Sequence, residues 1–298
     1  MRGIAALLFV CGACGGGGGG PWTQHDSPGT FGVTAVWSFA PDDVWAGSQI
    51  MLHFDGTEFT AVEAPPGFVN DFWGFAPNDL YAAAGALLHW DGAAWSVVPG
   101  SESFDATAVW GTSGDDLWVG DYDNSQVHHW DGVQWTTAFT QVVQVTDLWG
   151  SSSTDVWAAG IFGLWHWDGA AWSDAGNDVV DSATGLWGFG ADDVWAVDDF
   201  GVLARWDGST WISLIPVDDD QFEDDHTKVW GSAPDDVWAV GDGGLISHWD
   251  GTGWSQDQWG DFPYFPFFNA VHGSSAADVW IVGLSSDGEN TGVILSGP

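Results

Sequence analysis

The chain has 298 residues, with 42 carboxylates against three Lys or Arg and a formal net charge of −39. A field of that sign repels nucleic acid, anionic lipid and phosphorylated substrates while attracting cations, so polyanion binding is close to excluded. Both cysteines, Cys11 and Cys14, precede residue 15, which leaves the rest of the chain without a disulfide or a thiol for catalysis or metal ligation.

In chain order, residues 1–14 read as an export signal. Arg2 supplies a positive start, residues 4–10 an apolar stretch too short to span a bilayer, and Gly12 and Ala13 the small residues before Cys14. The segment resembles a bacterial lipoprotein signal, departing from it at Cys11, where Leu is usual. The resemblance implies that Cys14 is lipidated, becomes the mature N-terminus and anchors the protein at the bacterial outer membrane or cell surface. A simple cleaved secretory peptide is the alternative. Residues 15–20, all Gly, then form a flexible tether, and 21–298 a single domain.

That domain is a repeat array. Eight residues separate two aromatic slots in seven copies: Trp37 and Trp45, Trp73 and Tyr81, Trp110 and Trp118, Trp149 and Trp157, Trp187 and Trp195, Trp230 and Trp238, and His272 and Trp280. Five residues separate a second pair in six copies, from Phe54 and Phe59 to Trp249 and Trp254. Short apolar runs alternate with Gly, Pro and Asp, and no stretch keeps a helical period. Each copy therefore holds four short strands, a to d, with a Pro-Asp-Asp type of turn between a and b and an Asp-Gly hairpin between c and d.

Four strands about every 40 residues describe a β-propeller blade, so the expected fold is an all-β, seven-bladed propeller. The ends of the chain point to closure. The seventh copy stops at Pro298 where its d strand is due, and the stretch around Trp22 is an isolated d strand. The N-terminal strand should complete the last blade and remove the free edge.

Most of the 25 Trp fall in repeat slots, and their expected role is packing between and within blades. Histidine recurs just before the c-strand slot, at His53, His89, His129, His166 and His248, with Arg205 in the fifth copy. Each belongs to a different blade, which argues against zinc. The expected role is a hydrogen-bond donor paired with a turn Asp of its own blade. Of the acids, 37 are Asp and five Glu, a bias of turns rather than helices.

The a-to-b and c-to-d turns have constant lengths and lie on one face of such a disc. The b-to-c and d-to-a links vary and lie on the other, and variation on a rigid scaffold marks the recognition surface. The longest d-to-a links include residues 218–226 and 259–268. The first carries Asp218, Asp219, Asp220, Asp224, Asp225 and His226, the second Trp259, Phe262, Tyr264, Phe265 and Phe267. Together they are the candidate pocket for a cationic, sugar or peptide ligand. The alternative is that the aromatics plug the channel or pack on blade 7.

No cofactor is expected, with Ca2+ as the open exception: Asp218, Asp219, Asp220, Asp224 and Asp225 concentrate charge, and residues 121–125 hold the first three positions of a calcium loop. That loop lacks the required Gly, replaced by Gln126, and the final Glu, replaced by Gly132. A sialidase-like site needs an arginine cluster, and Arg205 is the one Arg of the domain. A copper oxidase of the galactose-oxidase type needs a Cys, and none is present after residue 14.

The units at residues 229–241 and 248–254 resemble the Trp-rich repeats of bacterial surface lipoproteins, distantly similar to kelch and Asp-box propellers. The resemblance implies architecture and leaves activity open. The leading expectation is an exported, lipid-anchored, monomeric module that binds a protein or carbohydrate at the cell surface without turnover, with no nucleic-acid partner and the membrane met through the anchor alone. Two alternatives stand beside it: a hydrolase or lyase acting on a glycan with Asp224, Asp225 and His226, and a calcium-dependent adhesion module.

Overall fold

The computed structural model describes residues 22–29, 31–142, 144–161, 163–176, 180, 183–198, 200–214, 225–259, 266–286 and 291–298. Among them are 28 strands in seven four-stranded antiparallel sheets. Blade 1 is β2 (Ala35–Ala40), β3 (Asp43–Gly47), β4 (Met51–Phe54) and β5 (Phe59–Val62). Blades 2 to 6 repeat this order, through β22 (His226–Ala233), β23 (Asp236–Gly241), β24 (Leu245–Trp249) and β25 (Trp254–Gln258). Blade 7 joins β26 (Phe267–Ser275), β27 (Asp278–Leu284) and β28 (Gly292–Gly297) to β1 (Thr23–His25) from the other end of the domain. Thr23 pairs with Ser296 and His25 with Ile294, so the seven-bladed ring closes as expected.

A belt of side chains ties the blades together. Three residues before the first slot, every copy carries Thr or Asn, and each donates to a backbone carbonyl of the next blade. The bonds are Thr34 to Val69, Asn70 to Ala106, Thr107 to Val145, Thr146 to Ala183, Thr184 to His226, Thr227 to Phe268 and Asn269 to Val33, at 2.5–3.0 Å. The last returns to blade 1. Each such bond between neighbouring blades contributes roughly 0.5–1.5 kcal/mol.

The first-slot aromatics converge on the axis. Trp37 lies 5.2 Å from Trp73, Trp73 lies 6.3 Å from Trp187 across the ring, and Trp187 lies 6.2 Å from Trp230, centroid to centroid. Each indole reaches over the residue after the next blade's slot, and that residue is Gly in six copies. A Cβ at Gly188 would sit 2.6 Å from Trp149, and one at Gly273 2.7 Å from Trp230. Trp73 and Trp187 donate Nε1–H to the carbonyls of Gly111 and Gly231 at 2.9 and 3.0 Å. At the seventh junction the pattern changes as a pair: the smaller His272 replaces Trp, and Ser38 takes the Gly position, its N–H donating to His272 Nδ1 at 3.0 Å.

On the turn face, the c-to-d hairpin of blades 1 to 6 packs on the a-to-b turn of the same blade. Asp91 Oδ1 accepts from the N–H groups of Ala93 and Ala94, both at 2.9 Å, and Gly92 at φ 88° completes the hairpin. A Cβ on Gly92 would meet Asn78 Cβ at 2.7 Å. This close approach accounts for the constant lengths. The opposite face joins b-to-c and d-to-a links by backbone bonds, such as Val69 N–H to Ser48 O at 2.7 Å and Trp259 N–H to Gly244 O at 3.0 Å. The uneven connections therefore do gather on one side. Among the described residues, no helix is long and apolar enough to cross a membrane.

Candidate functional site

The repeated histidines take the expected partner. Nε2 of His53, His89, His129, His166 and His248 meets Asp43, Asp79, Asp116, Asp155 and Asp236 at 2.5–2.8 Å. Each ring also lies against its b-strand aromatic, as His248 does on Trp238 at 3.9 Å. Arg205 reproduces both contacts, bonding Asp193 at 2.7 and 2.8 Å and lying 5.3 Å from the Trp195 ring. Blade 7 supplies its histidine from the d strand: His25 bonds Ser296 at 2.8 Å and sits 4.8 Å from Trp280. These groups brace the turns and are not a reactive constellation.

The candidate pocket residues part company. Cys14, Asp218, Asp219, Asp220, Asp224, Phe262, Tyr264 and Phe265 lie outside the described residues. His226 starts β22 inside blade 6, fully buried, with Nε2 3.1 Å from Ser247 Oγ, and burial pushes its pKa down to about 4. Its imidazole is thus not at the surface. Asp225 precedes it, its carbonyl accepting from Asp242 N–H at 3.0 Å. Trp259 is half-buried against the blade 6 and 7 core, whereas Phe267 is 40% exposed. In the loop at 121–125, Asp121 turns inward to Asn124 and His128, at 2.9 and 3.2 Å. Among the described residues no group of three or more His, Cys, Asp or Glu could hold a metal ion.

What the variable face does present is apolar. Of seven exposed large apolar residues among those described, four lie on its links, Phe31, Ile50, Phe68 and Phe200, and a fifth, Phe267, opens β26 at the same end. Phe200 is 77% exposed and Phe31 48%. Val133 is on a hairpin of the other face and Ile212 on the outer strand Trp211–Ser213. Beside Ile50 a cavity of about 240 Å³ opens between the b-to-c link of blade 1 and the link to blade 2, lined by Met51, Val62, Glu63, Pro65 and Pro66. Each exposed phenylalanine keeps apolar surface in water, an unfavourable state that a covering surface relieves. Phe31, Ile50, Phe68 and Phe200 fall between repeat slots, where variable loops give no periodicity to read.

At the axis, on the same side, three charged groups meet around a cavity of about 50 Å³. Lys228 Nζ is 2.9 Å from Asp147, and Asp71 faces the same space. All three stand two residues before the first slot, on blades 6, 4 and 2. Between Lys228 and Asp147 the same position of blade 5 is Gly185, where a Cβ would lie 3.0 Å from Lys228 Cα. Asp71 accepts from Val109 N–H at 2.9 Å and Asp147 from Leu186 N–H at 2.8 Å, so each carboxylate also ties its blade to the next. Burial pushes Asp71 up to about 7, with Lys228 pulling it down and Asp147 adding to the rise. Burial opposes the charge on Lys228, but Asp147 and Asp71 outweigh it and hold its pKa above the ordinary value. Lys228 is the one Lys of the chain, and nothing adjacent to it in sequence names its partners. The shared register was the available signal.

No protein-family model matches the chain, and no curated protein matches it. Among solved structures it is similar to YCF48 bound to D1 peptide, 17% identical with a TM-score of 0.72 over 93% of this chain and 97% of that one. It is also similar to a streptogramin B lyase, 9% identical with a TM-score of 0.74 over 93% and 97%, and to the WD40 propeller domain of Doa1, 15% identical with a TM-score of 0.71 over 92% and 95%. Likeness at such identities shows the seven-bladed propeller fold alone.

Proposed function

We propose that this chain is an exported, lipid-anchored propeller that binds a protein or peptide on its variable face without catalysis. The observation that carries the reading is the gathering of Phe31, Ile50, Phe68, Phe200 and Phe267 on that face. The charge sets the chemistry of the occupant: with 42 carboxylates against three Lys or Arg, a segment that combines apolar side chains with Lys or Arg is attracted, and an acidic one is repelled. Glu63 beside the blade 1 cavity offers such a segment one local acceptor. The similar YCF48 structure has a peptide bound, which supports the same class of ligand here.

Anchoring rests on the leader sequence. Its geometry is favourable, because the d strand of blade 7 runs from the turn face to the variable face, so the chain enters the disc at Trp22 on the turn side. Attachment through that end puts the anchor on the turn side of the disc and leaves the variable face accessible. An array of peptides graded in apolar and basic content tests the reading. The wild-type domain should hold the apolar-basic members, and Phe31→Ser with Phe68→Ser should release them without loss of folding. Retention by that variant would place the site elsewhere.

A further inference from the structure

We propose that β1 is an acid-sensitive latch: protonation of His25 undocks this strand from β28 and frees the link that carries Phe31, so the partner is released at mildly acidic pH. As a control on partner binding the latch rests on the peptide reading; the latch itself rests on blade 7.

Blades 1 to 6 place His or Arg across from the b-strand aromatic, as His53 faces Trp45 and His248 faces Trp238, and bond it to the Asp that opens the b strand. In blade 7 the residue across from Trp280 is Ser296. The ring that covers Trp280 comes instead from His25 on β1, where Nε2 meets the Ser296 hydroxyl at 2.8 Å. The matching Asp278 is taken, accepting from Ser38 Oγ, Ser274 Oγ and Trp280 Nε1 at 2.6–2.7 Å. Six of these groups therefore face a carboxylate, and the seventh faces a hydroxyl.

His25 lies 4.8 Å from Trp280, 5.3 Å from Phe54 and 6.2 Å from Phe59, centroid to centroid. Of the strands packed against it, β5 and β28 carry no ionisable side chain, β4 carries His53 bonded to Asp43, and β27 carries Asp278. Burial holds its pKa below the ordinary 6.5, outweighing Asp26, the next residue, which acts to raise it. A depressed folded-state value stabilises the docked strand above pH 6.5, and that contribution is lost as pH falls below it. Three residue pairs join β1 to β28, from Thr23 with Ser296 to His25 with Ile294, so the penalty falls on a short strand. The link after β1 lies on the same sheet: a Cβ on Gly292, which opens β28, would meet Ser27 Oγ at 2.7 Å and the Phe31 carbonyl at 2.9 Å. Undocking β1 thus frees the segment that presents Phe31.

Hydrogen exchange of the full chain at about pH 7.5 and about pH 5, corrected for intrinsic rates, reads the latch without a ligand. Protection of β1 and of Ile294, Leu295 and Ser296 should fall at the lower pH, relative to β24 and β25 of blade 6, where His248 keeps its carboxylate. His25→Phe keeps a ring on Trp280 and should abolish the difference. Ser296→Asp supplies the missing carboxylate and should reverse its sign. Capture of the apolar-basic peptides should weaken over the same pH step in the wild-type chain and not in His25→Phe. Equal protection at both pH values, a loss shared equally by blade 6, or a loss that persists in His25→Phe would overturn the latch. Peptide affinity that ignores pH while β1 opens would overturn its coupling to the partner. If no peptide binds at all, the peptide reading fails and the exchange result still decides the latch.

Discussion

On the turn face every blade from 1 to 6 closes with an Asp-Gly hairpin seated on its own a-to-b turn, and blade after blade repeats the same Asp, His or Arg, and aromatic stack. Across the disc, the b-to-c and d-to-a links share no common length, and their aromatics point to water at Phe31, Phe68 and Phe200. The same strands connect both faces. Repetition here records packing constraints, because a Cβ at Gly92 or Gly188 has nowhere to go, whereas irregularity records surfaces released from those constraints and open to recognition.

Opening the ring should have the largest effect. Removing residues 1–25 takes β1 from blade 7 and exposes the edge of β28. The domain should lose its cooperative thermal transition and elute as larger species, while an unchanged transition would mean that closure contributes nothing. Next comes the axis. Gly188→Val pushes a side chain into Trp149 and should destabilise by about 3 kcal/mol in urea titration. A smaller loss, about 1 kcal/mol, is expected from Thr184→Val, which removes the bond to the His226 carbonyl in the belt. Loop changes of comparable size, such as Phe200→Ser, should move stability by less than about 0.5 kcal/mol.

Titration adds a test with a defined sign. Asp71 has a folded-state pKa of about 7 against an ordinary 3.8, so the folded state holds the proton more tightly and stability falls as pH rises through that window. His272 and His226, lowered to about 3 and about 4, act in the opposite sense, and their contribution is lost as pH falls below 6.5. Over about pH 4 to 6.5 the two histidines outweigh Asp71, so the urea midpoint should rise with pH, and Asp71→Asn should steepen that rise by removing the opposing contribution.

The propeller, its seven copies, the closing strand and the His–Asp pairing were legible because each follows from a spacing repeated along the chain. The belt of Thr34, Asn70 and their equivalents was equally periodic, yet its meaning depends on which carbonyl the neighbouring blade offers. The Lys228–Asp147 pair and the exchange of Trp and Gly for His272 and Ser38 are non-local, joining residues of different copies. The exposed Phe residues carried no spacing at all. His226 shows the limit from the other side: it ends an acidic run in sequence, but the register of β22 turns its ring into blade 6.

The central claim is that the outward, irregular face receives the partner. Hydroxyl-radical footprinting of the domain with and without a captured apolar-basic peptide tests it most directly. The account requires protection at Phe31, Phe68, Phe200 or Phe267, with Val133 on the opposite hairpins still oxidised. Protection centred on Val133, with those phenylalanines unchanged, would contradict it.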